Sequence, residues 1–384
     1  VWSGFSLLLS GCWDKAELTE FGYVQAVAID QAENGKIELT PLFYDPVGGG
    51  DKGGGEKKNG GGISFPVKAD TVFNAIRDIP YHLGRKATWD HMRVILISDE
   101  LARKKSVGEV MDFFSRNNES RATVSVLITE GKARGYLKMK PFIESTMGQQ
   151  LRKMEESGYK YSAKTSQFPL IDLTIQLKGK AGALTIPIVK RDPSTGKRAI
   201  VTGLALLREG RMVKEIIKPD KTPALLMLQD KYNSGVVELL CDDSSKASKE
   251  KLESFEVISL STKVKPVIKS GEVSVKVDTQ LNGRIGELVC STMTSVTEEK
   301  EFEKRVAERV KAQMEEVIQL LQKNKMDVIG LGDRIYRKNP NIWKSWKTTW
   351  SQRFSDIDFQ IEVSVKITDT GMNAGLPYPK GGGE

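Results

Sequence analysis

Apolar residues recur along this chain with the two periods that secondary structure imposes, and the first is the strand period. Residues 24–29 and 37–43 are β-rich runs flanking Asn34-Gly35, a dipeptide that tolerates positive φ and marks a tight hairpin. Asp70 then precedes a helical pattern with Val72, Phe73, Ile76 and Ile79 on one side, stopped near Pro80. Residues 93–98 (RVILIS) are apolar without alternation, as in a strand buried on both faces. Residues 106–116 follow with Val107, Val110, Met111 and Phe114 at helical spacing, and 123–129 (TVSVLIT) read as a second strand. Strand, helix and strand with short connections predict a βαβ unit, so this part is mixed α/β. A further helix is expected from Pro141 to about Glu156, with an exposed connection over 157–167.

From Leu184 the pattern becomes hairpins. Strands at 184–189, 198–207 and 212–217 are separated by Pro193-Ser194-Thr195-Gly196 and by Glu209-Gly210, and a short helix (223–230) and a strand (235–240) follow. In the last third, runs at 255–268 and 272–281 flank Ser270-Gly271. A long helix starts near Ser295 or Thr297, with Phe302, Val306, Val310, Met314, Val317 and Leu321 forming one apolar face. A second helix is expected over 326–338, ending before Pro340. Ile357, Phe359, Ile361, Val363, Val365 and Ile367 then alternate with polar residues, which predicts a strand of an antiparallel sheet with one wet face, covered by helices on the other.

Charge and composition narrow the picture only modestly. The net charge is +8, but Lys and Arg are interleaved with 50 acidic residues. The densest cationic tract, residues 134–140, lacks the aromatics of a base-stacking platform, so no nucleic-acid partner is expected. A basic body beside an anionic membrane accounts for the charge equally well. No run of about 18 or more apolar residues occurs, so no spanning helix is expected within these residues. The glycine-rich tract over 48–62 lacks a Gly-Lys-Ser/Thr ending and reads as a surface loop rather than a phosphate cradle. The charged stretch 242–251 reads as a linker or long turn.

The N-terminus carries one sharper signal. An apolar run over 5–9 meets Ser10-Gly11-Cys12, and charged residues begin at Asp14. The alternatives are a chance SGC within a first strand and the end of an export signal, whose basic start would precede Val1. Leu9-Ser10-Gly11-Cys12 resembles the lipobox of bacterial lipoproteins, in which small residues give the peptidase access and the cysteine thiol accepts diacylglycerol. On that reading Cys12 is the lipidation site, and paired acyl chains supply the stable anchoring that one chain does not. Cys241 and Cys290 then remain. They read as two separate buried thiols, although an exported protein could pair them.

Catalytic and cofactor chemistry is sparse. With only His82 and His91 in the chain, a His-rich metal site is not expected. Asp90-His91 ahead of a strand reads as a salt bridge or cap, and Asp242-Asp243 has no further acidic cluster at metal-ligand spacing. Asn117-Asn118-Glu119-Ser120-Arg121 reads as a polar turn. Trp343, Trp346 and Trp350, with Tyr336 and Phe354, either seal the second helix against the last strand or form a patch for a partner or membrane. No catalytic residue, metal ligand or cofactor site is assigned.

Several segments together resemble the C-subunit lipoproteins of nutrient germinant receptors in spore-forming bacteria. They are the lipobox running into CWDKAEL, QAVAID, RVILISDELA, DFFSRNNESRATVSVLIT, GLALLREGRMVKEI, and MDVIGLGDRIYRKNPNIWKSW with DIDFQIEVSVKITDTGM. The tract 48–62 has no counterpart in that pattern and looks like an inserted loop. The resemblance implies a non-enzymatic α+β ectodomain tethered through Cys12 to the outer face of the spore's inner membrane. It would act with integral-membrane A and B subunits; whether it binds a nutrient itself stays open, with a lipid-anchored solute-binding protein as the alternative. The expected division is a signal remnant over 1–12, a mixed α/β domain over 13–180, a small β-rich middle domain over 181–250, a C-terminal α+β domain over 251–370 and a flexible tail over 371–384.

Overall fold

The computed structural model describes residues 18–45, 62–241 and 251–369. Strand β1 (Phe21–Gln31) turns through Asn34 and Gly35, at φ 55° and 75°, into β2 (Ile37–Phe43). Strands β3 (Ile63–Ser64) and β4 (Val67–Ala69) extend β2, and helix α1 (Val72–Leu83) leads to β5 (Lys86–Thr88), which pairs with β1. The α1 cap is Thr71 rather than Asp70: its hydroxyl accepts from Asn74 N at 3.1 Å. The helix also runs past Pro80, in its last turn, and stops at Gly84 (φ 68°), whose N–H donates to Pro80 O. Phe73 stays on the exposed side.

Strand β6 (Val94–Ser98), helices α2 (Asp99–Lys104) and α3 (Val107–Arg116), and β7 (Ser125–Thr129) form the expected crossover, with β6 parallel to both β1 and β7. Helix α4 (Ala133–Leu137) follows, then α5 (Met147–Ser162). Helix α5 starts six residues after Pro141 because Gln150 Oε1 accepts from Phe142 N and Ile143 N, while Thr146 caps Gln149 N. Part of the expected connection over 157–167 is therefore helical, and α6 (Leu170–Leu177) comes next.

Strands β8 (Ala183–Arg191), β9 (Ala199–Arg208) and β10 (Arg211–Ile217) occur where the hairpin pattern puts them, but they do not form a separate middle sheet. They continue the first sheet in the order β10-β9-β8-β7-β6-β1-β2-β3, with β8 parallel to β7. Helix α7 (Thr222–Leu228) and β11 (Gly235–Leu240) pack instead with the C-terminal elements. The reason lies in β9: Ala205 and Leu207 face the first core, while Leu204 and Leu206 face the second. One strand thus joins two cores, and its first residues, Ala199 and Val201, add to a third beside α4 and α5.

The second sheet runs β11-β12-β13-β14, with β12 (Leu252–Lys269), β13 (Glu272–Glu287) and β14 (Asp358–Asp369). Helix α8 (Val296–Lys323) covers one face with the apolar stripe read from sequence, and Ser295 and Glu298 form its capping box. Helices α9 (Leu331–Lys338), α10 (Pro340–Trp346) and α11 (Trp350–Ser355) carry the chain back to β14. Helix α9 begins five residues later than the expected Met326, since the Asp327 carboxylate takes the N–H groups of Gly330, Leu331 and Gly332. Strand β14 is parallel to β13, so this sheet is not wholly antiparallel. The architecture is α+β, a mixed α/β N-terminal sheet joined to a C-terminal sheet with a long helix.

Candidate functional site

Cys12 lies outside the described residues, as do the tract 48–61 and the Asp242-Asp243 pair; the chain enters the fold at Leu18, just ahead of β1. Asp90 accepts from Thr88 Oγ1 at 3.0 Å and lies 3.5 Å from His91 Nε2. His91 meets the ring of Tyr23 edge-on. The pair ties the half-exposed turn before β6 to the start of β1, in the bridging position expected of it. Asn117 ends α3 and accepts from Glu119 N at 3.0 Å, so the polar turn is a cap. The three tryptophans are buried, with Trp343 and Trp350 edge-to-face, so they seal the second sheet and offer no open patch.

Four buried carboxylates account for much of the remaining chemistry, and sequence reading missed all of them. Asp30, at the end of β1, accepts from Ala133 N and Arg134 N and closes the start of α4. Glu155 on α5 accepts from Ser125 Oγ and from Phe168 N, locking β7 to the chain before α6. Asp327 adds the indole N–H of Trp350 to its three backbone donors. Burial pushes Asp30, Glu155 and Asp327 above the ordinary carboxylate range, with their hydrogen bonds pulling the other way. Each oxygen is committed to backbone or to a fixed neighbour, as a fastener is. The one signal in the sequence is Asp327 set three residues ahead of Gly330-Leu331-Gly332, an acid at a helix start.

Glu253 is the exception in direction. Burial alone would raise it, but the N–H groups of Cys290, Ser291 and Val289 and the Ser291 hydroxyl hold it below the usual range. Arg305 lies 3.1 Å away and also donates to Leu240 O. Beside it, Cys241 and Cys290 form a disulfide (S–S 2.06 Å), which corrects the expectation of two separate thiols. The cysteines meet because Glu253 folds the chain after β13 back onto the end of β11. With Glu253 they are the group of potential metal ligands found among the described residues, but their sulfurs are bonded to each other.

A cleft of about 510 Å³ opens where the two sheets meet. Tyr159 and Asp172 line one side, Lys231, Asp333, Arg334 and Arg337 the other. Asp333 accepts from Lys180 N at 2.8 Å, Lys231 and Asp172 are 3.8 Å apart, and Arg334 donates to Val264 O. Its size falls in the range of small-molecule sites; of its charged groups Lys231 faces Asp172, while Asp333, Arg334 and Arg337 bond to backbone groups. Among the described residues no helix is long and apolar enough to cross a membrane.

Taken together, these features define a two-sheet α+β protein whose buried polar groups serve its own architecture. Residues 14–191 match the family model described as the spore germination protein N-terminal domain, and residues 202–371 match spore germination B3/GerAC-like, C-terminal. The chain belongs to this GerAC/GerBC-like C-subunit family of spore germination proteins. It is 22% identical to spore germination protein KC of Bacillus subtilis, over 95% of this chain and 93% of that one. Spore germination proteins B3 and A3 of the same organism are 23% and 25% identical, each over 95% of both chains. The crystal structure of the GerBC protein has the same fold, with a TM-score of 0.55 at 20% identity, covering 89% of this chain and 96% of that one.

Proposed function

We propose that the chain is the lipid-anchored, non-enzymatic C subunit of a nutrient germinant receptor, held to the outer face of the spore's inner membrane through diacylglycerol on Cys12. Integral-membrane A and B subunits are its partners, and their joint response to nutrients triggers germination. The observation that carries this reading is the family match along nearly the whole chain, beginning at residue 14, two residues after the lipobox cysteine. The disulfide supports export, since such bonds persist in oxidising compartments. Commitment of the buried carboxylates to backbone groups supports a role in binding rather than turnover.

The test is expression of the full-length gene with labelled fatty acid. Label and membrane fractionation are expected in the natural chain and lost in Cys12→Ala; retention of both in that variant overturns the anchor. Co-purification of A and B subunits with the lipidated chain tests the partners. The cleft between the sheets favours a second reading, direct capture of a small nutrient. Calorimetry of the purified chain against germinant mixtures separates the two, because micromolar binding by the isolated subunit supports capture.

A further inference from the structure

The end of the first sheet at which β1 begins gathers exposed apolar and cationic side chains from four separate segments. Phe21 pairs in register with Lys86 of β5, whose Nζ sits 5.9 Å above the Phe21 ring. The Tyr44 N–H donates to Tyr23 O at 2.9 Å, and Ile63 pairs with Phe43. The last turn of α1 is tied to the same end: Leu83 packs on Gly22, and the His82 ring lies 5.3 Å from Phe65, which stacks on Phe43. Tyr44 and Ile63 are about half exposed (46% and 48%), and Tyr81 is 88% exposed. Arg85 and Lys86 complete the rim, with Glu20 on the chain leading into β1 and Glu119 3.9 Å from Lys86.

Resting on the anchor reading above, we infer that this rim is the bilayer-facing surface of the subunit and lies against anionic phospholipid headgroups. The reach of the chain sets the geometry. Cys12 is six residues before Leu18, where the described chain starts, and however those residues run they span at most roughly 20 Å. The start of β1, nine residues after Cys12, is therefore held within roughly 30 Å of the headgroups. The opposite end of β1 lies about 33 Å further along the strand, where Lys104 lines the same hollow as Asn34 and Gly35. The chemistry selects the same surface. Tyrosines with an apolar body and polar tip suit the interface, and Arg85 and Lys86 suit an anionic leaflet. Binding of this kind gains from a covalent anchor as a second signal. The rim fixes which side of the protein looks outward.

The experiment uses the full-length lipidated chain in vesicles of phosphatidylglycerol and phosphatidylcholine carrying nitroxide lipids. With Cys12 acylated and Cys241–Cys290 bonded, Tyr81→Cys and Lys104→Cys each provide one thiol for a fluorophore. Quenching at position 81 is expected to exceed that at 104 by at least about threefold; equal or reversed quenching overturns the inference. In parallel, the unlipidated Cys12→Ala chain is sedimented with the same vesicles, where Tyr44→Ser/Ile63→Ser/Tyr81→Ser should bind roughly tenfold more weakly. Unchanged binding by that folded triple variant overturns it too, as does quenching at 81 that arises only when A and B subunits are added, which assigns the rim to protein. If labelled fatty acid bypasses Cys12, the anchor reading fails alone, and the sedimentation arm still decides the rim.

Discussion

The two sheets of this molecule solve the same burial problem differently. In the N-terminal sheet, consecutive residues of one strand enter different cores: Val94 and Leu96 face the α4–α5 side, while Ile95 and Ile97 face the α1–α3 side. In the C-terminal sheet, Val275 and Val277 pack under α8 while Lys276 between them stays exposed. A strand covered twice reads as an unbroken apolar run, and a strand covered once reads as alternation. The difference also changes what holds each unit. Both units hold carboxylate–arginine pairs, Arg134–Glu38 in the first and Arg305–Glu253 in the second, but among the described residues only the second adds a disulfide.

Mutation tests that contrast directly. The largest loss is expected in the doubly covered strand, where Leu96→Ala and Ile97→Ala should each cost about 3–5 kcal/mol in denaturant unfolding, although their side chains point opposite ways. A small cost at either would mean that one face is less closely packed than its burial implies. Asp327→Ala should follow at about 3 kcal/mol, because three backbone N–H groups and the Trp350 indole lose their acceptor. Cys290→Ser should cost about 2–3 kcal/mol, and reduction of the natural chain should reproduce that loss in a thermal melt.

Smaller still is a pH effect confined to Glu253. Its folded value sits below the ordinary 4.5, so the stability it adds is full above that pH and is lost as pH falls through the depressed value. The melting-temperature gap between the natural chain and Glu253→Gln should therefore narrow below pH 4.5. A gap constant with pH would show that Glu253 acts through shape rather than charge. Smallest of all, Lys276→Ala should stay within about 0.5 kcal/mol while neighbouring Val277→Ala costs several times more. A large effect at Lys276 would reveal that the second face of that sheet is covered after all.

What was legible in the sequence follows from how far each signal reaches. The α8 stripe, the hairpins and the β6–α3–β7 crossover are periodic over many residues, and they appear with nearly the expected bounds. Helix starts depend on single side chains, and there Thr71, Gln150 and Asp327 each moved a boundary by capping or occupying N–H groups. Strand direction leaves no trace in alternation, so β14 could be read as a strand but not as parallel to β13. Sheet membership of β8–β10 was equally silent, since hairpins look alike whether they stand alone or extend a larger sheet. The disulfide depends on Glu253 bringing two distant segments together, which spacing does not encode. Of the candidate site, Cys12 was readable as a motif, whereas the rim around β1 is assembled from four segments and exists only in the folded chain.

The parallel placement of β14 also sets an order of events in time. Strands β11, β12 and β13 pair with sequence neighbours across short turns or the 241–251 connection, but β14 joins β13 only after residues 288–357 have carried the chain back to the strand's beginning. Non-local pairings of that kind form late, and here β14 also follows every other described element of the second sheet along the chain. Until Asp358 emerges, α8 has part of its apolar stripe and one edge of β13 without a neighbour. The first sheet, finished by Ile217, can settle early and serve as the platform on which the second closes. A chain released before β14 would carry a complete first sheet and an unsealed second one, an aggregation hazard built into the connectivity rather than into any single residue.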